Sequence, residues 1–164
     1  MPKKIKMQPR KKKIKITSGN STRIMDKVSC VFCRIVQKEA PASIVYEDDK
    51  IIAFLDIRPL NQGHTLIIPR EHYETVYDIP EDLLAHIHKI VKRTAVAVKD
   101  ASKADGITII QQNGHAAGQE VFHLHVHVVP RYEGQKLPKF TEIPNASREQ
   151  LEKTAERLRA QFRT

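Results

Sequence analysis

The sequence is poor in everything that marks a chain without a packed core. Its 164 residues contain only 6 glycines and 9 prolines, and this excludes collagenous, mucin-like and wholly disordered classes. No uncharged run approaches the roughly 18 apolar residues of a membrane span, and no apolar segment follows the basic N-terminus as in a secretory leader. A soluble, cytoplasmic chain is therefore expected, with nuclear or organellar targeting by the basic arm as the alternative. There are only two cysteines, Cys30 and Cys33, too few for a disulfide scaffold. Internal repeats are absent. What remains is 40% hydrophobic and 29% charged, suited to one domain with its own core.

Acidic residues are missing from residues 1–25, and this locates the net charge of +9. Nine of the 28 basic residues lie there (Lys3, Lys4, Lys6, Arg10, Lys11, Lys12, Lys13, Lys15 and Arg23), leaving 19 against the chain's 19 acidic residues. Residues 26–164 form a neutral domain. A Lys-rich stretch with few apolar residues cannot bury enough surface to order itself, so residues 1–25 read as a flexible arm. Contact with nucleic acid is open to it only through that arm.

The pattern along the domain predicts a short helix over Cys33–Lys38. Two β-branched runs, Ser43–Tyr46 and Ile51–Leu55, flank the charged turn Glu47–Lys50 and predict a hairpin. His64–Ile68 is a third strand. Asp78-Ile79-Pro80-Glu81 is a helix start with Asp78 as N-cap. Leu83, Leu84, Ile87, Ile90, Val91, Thr94 and Val98 then fall on one stripe up to about Lys103. Ile107–Gln111 and Val121–Val129 are further strands. Ser147 and Gln150 form a capping box for a closing helix to Phe162, with Leu151, Ala155 and Leu158 on its inner face. The order β-β-β, long α, β-β, α implies an α+β domain with a mostly antiparallel sheet rather than alternating βαβ units.

Chemistry concentrates in Val121-Phe122-His123-Leu124-His125-Val126-His127-Val128. With a strand period of two, His123, His125 and His127 share one face and the apolar residues the other. Three imidazoles in register crowd potential charge without any gain in stability, which points to metal binding or catalysis. Upstream, Gln112-Asn113-Gly114-His115-Ala116-Ala117-Gly118-Gln119-Glu120 offers small residues and amides able to converge on an anion. An imidazole nucleophile facing such a nest suits attack on phosphorus; a three-histidine metal centre is the competing reading. The Cys30-x-x-Cys33 spacing is open to a redox pair or half of a zinc site. No buried strand precedes it, which favours the second.

The run Ala117–Arg131 resembles the signature of the histidine-triad (HIT) hydrolases and transferases. Cys30-Val31-Phe32-Cys33, Phe54–Pro59 and Gly63–His72 extend the likeness over about residues 29–132. The resemblance implies a five-stranded antiparallel sheet, one long helix, a C-terminal helix and a homodimer whose sheets run on across the interface. It implies cleavage of nucleoside phosphoramidates, dinucleoside polyphosphates or related nucleotidyl esters. His125 would be the nucleophile, its Nδ1–H bonded to the His123 carbonyl. His127, Gln119 and Glu120 would lie at the phosphate, with Gln112 and Asn113 nearby, and Asp56 at the ribose of a purine nucleotide. The same resemblance implies a structural zinc on Cys30, Cys33, His72 and His123, with no metal needed for the chemistry. Glu120 departs from the Ser or Thr that many members carry near the leaving group. Gln112 stands where a related branch often has Asn. His64, His86, His88 and His115 are expected to be structural or exposed, with His115 at the rim. A nucleic-acid-end adenylate hydrolase and a zinc-stabilised nucleotide-binding partner with vestigial turnover are the rival functions.

Overall fold

A computed structural model describes residues 29–138 and 142–162. The expected arm, residues 1–25, lies outside the described residues. The element order is α1 (Val31–Val36), β1 (Ile44–Glu47), β2 (Ile51–Leu55), β3 (Thr65–Pro69), α2 (Glu81–Ser102), β4 (Gly106–Gln111), β5 (Val126–Arg131) and α3 (Arg148–Phe162). The strands form one antiparallel sheet in the order β1-β2-β3-β5-β4. This is the α+β arrangement expected from the pattern.

The hairpin turn is built by one aspartate. Asp48 Oδ1 accepts from the backbone N–H of Lys50 and of Ile51, both at 2.8 Å, which fixes the register of β1 against β2. Alternation then sorts β2, β3 and β5 between the two faces. Ile51, Ala53, Leu55, Ile67, Val126 and Val128 enter the main core with the inner stripes of α2 and α3. Ile52, Phe54, Leu66 and Ile68 face the other way, and Phe32 of α1 packs on them, its ring 5.5 Å from Phe54 and edge-on. Register places Phe54 opposite Leu66 and Leu66 opposite His127, so this second face leads directly to the histidines.

The capping box of α3 is present in both directions: the Gln150 N–H donates to Ser147 Oγ and the Ser147 N–H to Gln150 Oε1, each at 3.2 Å. Leu151, Ala155 and Leu158 are buried, and Phe162 stacks on Tyr46 of β1. α2 differs at its start. Pro80 is the N-cap, and Asp78 instead accepts from the Thr75 hydroxyl at 2.9 Å. The helix ends on Lys103, which takes the left-handed turn at φ 54°, and Gly106 already belongs to β4. Among the described residues, no helix is long and apolar enough to cross a membrane.

The strand expected over Val121–Val129 is shorter and shifted, beginning only at Val126. The backbone before it is bent away from the sheet: the Leu124 N–H donates to the Tyr73 carbonyl at 2.6 Å, outside the ladder. Leu124 still joins the core beside Val126 and Val128. The two-residue period therefore survives the loss of sheet pairing.

Candidate active site

The three histidines do not share one task. His123 is fully buried, with its Nδ1 3.6 Å from Cys30 Sγ and 3.5 Å from Cys33 Sγ. Its Nε2–H donates to the Pro69 carbonyl at 2.9 Å. That bond places the proton on Nε2 and leaves Nδ1 as a lone pair aimed at the sulfurs, the tautomer a metal ligand needs. His72 Nδ1 lies 3.2 Å from Cys33 Sγ. The donor atoms of Cys30, Cys33, His72 and His123 all fall within 4.8 Å of one another. Burial pushes the Cys30 thiol up, but hydrogen bonds to His123 and His72 outweigh it and bring it down to about 5. Two sulfurs and two imidazoles with a locked tautomer fit zinc in a closed, structural site. Bound there, the metal would tie α1 to the segment that carries the histidines.

The His123 carbonyl serves the next histidine. His125 Nδ1–H donates to it at 2.7 Å, so Nε2 carries the lone pair. The His125 and His127 rings are 4.9 Å apart, and both line a cavity of about 420 Å³. Val31, Phe32, Ile35, Phe54 and Leu66 supply its apolar wall; Asp56, Arg58, Gln112 and Glu120 are polar members of its lining. Burial lowers the His125 pKa, against the opposing effect of the bond to the His123 carbonyl, so the ring is neutral at pH 7.

Of the two expectations for His64, structural or exposed, the structure has the first. Fully buried just ahead of β3, His64 accepts from the Leu60 N–H through Nδ1 at 3.2 Å. Its proton therefore sits on Nε2, which lies 2.9 Å from His127 Nδ1 and donates to it. His127 is left with its own proton on Nε2, a donor. The sequence held one signal: a period of two places His64 on the same face as Leu66 and Ile68. Its partner is on another strand and was invisible. Asp56 Oδ2 stands 3.7 Å from His64 Nδ1, while Asp56 Oδ1 accepts from the Arg58 N–H at 2.9 Å. Burial raises the Asp56 pKa, though Arg58 opposes this.

Burial, then the neighbouring imidazoles, lowers His64 to about 3 and His127 to about 4. Unfolded histidine titrates near 6.5. Below that pH the unfolded chain takes up protons that the folded chain refuses. Stability is thus complete above about pH 6.5 and is lost as pH falls toward 4 and 3, by about 1.4 kcal/mol per pH unit for each histidine. Urea midpoints should hold between pH 7.5 and about 6.5 and fall from there to pH 5, and His64→Asn should flatten the fall. A flat wild-type curve would mean that these rings are not buried neutral.

The glycine loop is arranged differently from its expected use. Gln119 is buried, with its Oε1 accepting from the Gly114 N–H at 2.7 Å and its Nε2–H donating to the carbonyls of Glu74 (2.7 Å) and Val121 (3.1 Å). Its amide holds the loop shut and does not line the cavity. Asn113 likewise turns to backbone, accepting from the Val76 N–H at 2.8 Å. Gln112 does line the cavity, as does Gly118, whose φ is +85°. A Cβ on Gly118 would lie 2.5 Å from Gln112 Nε2. Gly118→Ala should displace Gln112 and strain the turn by about 1–2 kcal/mol. The expected loss in kcat/KM is about tenfold, with the fold intact by circular dichroism. Unchanged kinetics would remove Gln112 and this turn from the site.

A family model described as the HIT domain matches residues 37–134. The chain belongs to the HIT family. It is 46% identical over 123 residues to an uncharacterised HIT-like protein of Methanocaldococcus jannaschii, covering 74% of this chain and 95% of that one. It is 41% identical to an adenylylsulfatase of Arabidopsis thaliana over 63% of this chain and 53% of that one. With an adenosine 5′-monophosphoramidase of Saccharomyces cerevisiae it shares 41% identity over 63% of each. Among solved structures, a zinc-bound HIT family protein from Mycobacterium smegmatis superposes with a TM-score of 0.74 at 40% identity, over 84% of this chain and 95% of that one. The five-stranded antiparallel sheet of this HIT domain is the fold of these neighbours.

Proposed function

We propose that this HIT protein hydrolyses nucleoside phosphoramidates and related nucleotidyl compounds at the α-phosphorus through a nucleotidyl-His125 intermediate. The observation that carries this reading is the His125 ring itself. Its Nδ1–H is fixed on the His123 carbonyl at 2.7 Å, and the ring lines an open cavity of a size suited to a small ligand. A neutral imidazole so oriented presents one lone pair, and a nucleophile is what that arrangement provides. The names of the yeast and Arabidopsis relatives point to adenylyl groups joined to nitrogen or to sulfate, which supports the α-phosphorus as the atom attacked.

His125 Nε2 forms a bond to phosphorus while the bond to the leaving nitrogen breaks, its electron pair staying on nitrogen, which takes a proton from solvent. Water then attacks phosphorus and loses a proton, and the imidazole departs with its pair. A nucleoside monophosphate and an amine are released. His127, kept as an Nε2–H donor by His64, faces the charge that develops on the phosphoryl oxygens. The apolar wall of Phe32, Ile35 and Phe54 receives the base, and the Asp56 carboxylate accepts from ribose hydroxyls. Gln119 acts by position, through the loop it closes. Zinc on Cys30, Cys33, His72 and His123 takes no part in these steps. A homodimer is proposed through β4, an outer strand of the sheet on which Ile109 is half-exposed.

A substrate panel tests the reading: an adenosine phosphoramidate, adenylyl sulfate and a dinucleoside tetraphosphate, assayed for release of AMP. Highest kcat/KM on the phosphoramidate is expected. Activity confined to the tetraphosphate would replace this function with polyphosphate hydrolysis, and binding without turnover of any of them would leave only a nucleotide-binding protein.

A further inference from the structure

One cation at the cavity has no part in the steps above. Arg148 opens α3, beyond the HIT match of residues 37–134, and lines the same cavity as His125 and His127. Sheet register shows which end it holds. Ile44, Phe54, Leu66 and His127 stand opposite one another on β1, β2, β3 and β5, a single row across the sheet. His127 is at one end of that row. Arg148 is at the other, just ahead of Ile44, donating through Nη2 to the Pro41 carbonyl at 3.2 Å and through Nη1 to Ser43 Oγ at 3.5 Å. Three strand spacings, about 14 Å, separate β1 from β5. The cavity's other arginine, Arg58, pairs at 3.0 Å with Glu120, whose charge is felt at His125; that pair belongs to the phosphate end.

A nucleotide with phosphorus at His125 and its base on the wall of Phe32, Phe54 and Leu66 lies along this row. The edge of the base farthest from the ribose then points toward Arg148. A guanidinium has five N–H donors in a fixed fork and no acceptor. Two of them meet Pro41 and Ser43. Among the described residues no carboxylate pairs with Arg148; Glu152, one turn along α3, is held by Arg159 at 2.6 Å. The other donors remain for the base. Guanine presents two acceptors, O6 and N7, whereas adenine puts an amino donor where O6 would be. A donor set against a donor makes no bond and leaves both groups short of a partner.

We propose that Arg148 reads the far edge of the base and gives this site a preference for purines with a carbonyl there, guanine and hypoxanthine, over adenine. This rests on a nucleotide occupying the cavity as described above, and it narrows the substrate class by its base. The contact is remote from phosphorus and is the same before and during bond breaking, so the preference belongs in KM rather than kcat.

The test compares AMP, IMP and GMP in binding by calorimetry, and the three matching phosphoramidates in turnover. IMP differs from AMP at the far edge and lacks the second amino group of GMP, so it isolates the carbonyl. In wild type, IMP and GMP should each bind about fivefold more tightly than AMP, the low end of what an arginine–guanine pair supplies. The phosphoramidates should show the same ratio in KM, with kcat nearly equal. In Arg148→Gln, which can donate or accept, the three should come within about twofold. Ratios inside one protein cancel any general loss, and a residue that only tied α3 to Pro41 would weaken all three alike. Should that variant fail to fold, Arg148→Met gives the same comparison, and the wild-type ratio of IMP to AMP still decides. Equal wild-type affinities for IMP and AMP, or a ratio unchanged in Arg148→Gln, would overturn the role of Arg148 and leave the phosphoramidate reading standing. Tighter binding of IMP without turnover of any phosphoramidate would keep Arg148 and remove that reading. Failure of all three monophosphates to bind would overturn both.

Discussion

His125→Asn should bind a nucleoside monophosphate about as tightly as wild type and lose at least ~10³-fold in kcat. Asparagine can still donate to the His123 carbonyl, so the 2.7 Å bond that positions this side chain has a replacement. It cannot supply an imidazole lone pair. The apolar wall and Asp56 are untouched, so affinity has no reason to change. The pH profile belongs to the same expectation. Burial holds His125 below the ordinary histidine range, so the acid limb of wild-type kcat/KM should lie below pH 6.5. A variant that keeps more than a few per cent of the wild-type rate on every substrate would assign the chemistry to another group. Isothermal calorimetry with AMP, beside steady-state rates, makes the comparison.

Cys33→Ala should abolish zinc binding and lower the unfolding free energy by several kcal/mol, on the order of 3 or more, because metal binding at such a site is coupled to folding. The reason lies in where the cluster sits. Phe32, between the two cysteines, packs edge-on against both Phe54 and His125 at ring distances of 5.5 and 5.2 Å. His123 is a ligand through its ring and the anchor of His125 through its carbonyl. Loss of the metal should therefore loosen α1 and the nucleophile together. Metal analysis of fresh protein should give about one zinc per chain, and chelation should lower the melting temperature. Metal-free protein with Cys30 and Cys33 joined as a disulfide would contradict this.

What could be read from the residues is what depends on period and local chemistry. The Ser147–Gln150 capping box, the Asp48 turn and the split of Leu124, Val126 and Val128 from the histidines are all local rules, and all are present. The position of His125 against its own neighbour's carbonyl is local too, two residues apart. What period and local chemistry leave open has the opposite feature. Gln119 looked free to meet phosphate, but its partners Glu74 and Gly114 are backbone atoms brought in by the loop and the β3–α2 connection. His64 gained its role from His127 across the β3–β5 pairing, which no single strand encodes. Period alone put His123 on one face with the other two, whereas the family resemblance put it with Cys30, Cys33 and His72, and its ring lies in that cluster. Asp78 was a sound N-cap by sequence, yet Thr75 offered its carboxylate a nearer partner. Local rules locate the elements; which side chains meet across them is settled by sheet order.

The most direct measurement is intact mass spectrometry of enzyme quenched in acid-free conditions during turnover of an adenosine phosphoramidate. Wild type should carry one added adenylyl group, mapped by peptide fragmentation to His125, at a level that rises and decays with substrate. His125→Asn should show none under the same conditions. Rapid turnover by wild type with no adduct at any quench time, or an adduct mapped to His127 or to another residue, would contradict nucleophilic catalysis by His125.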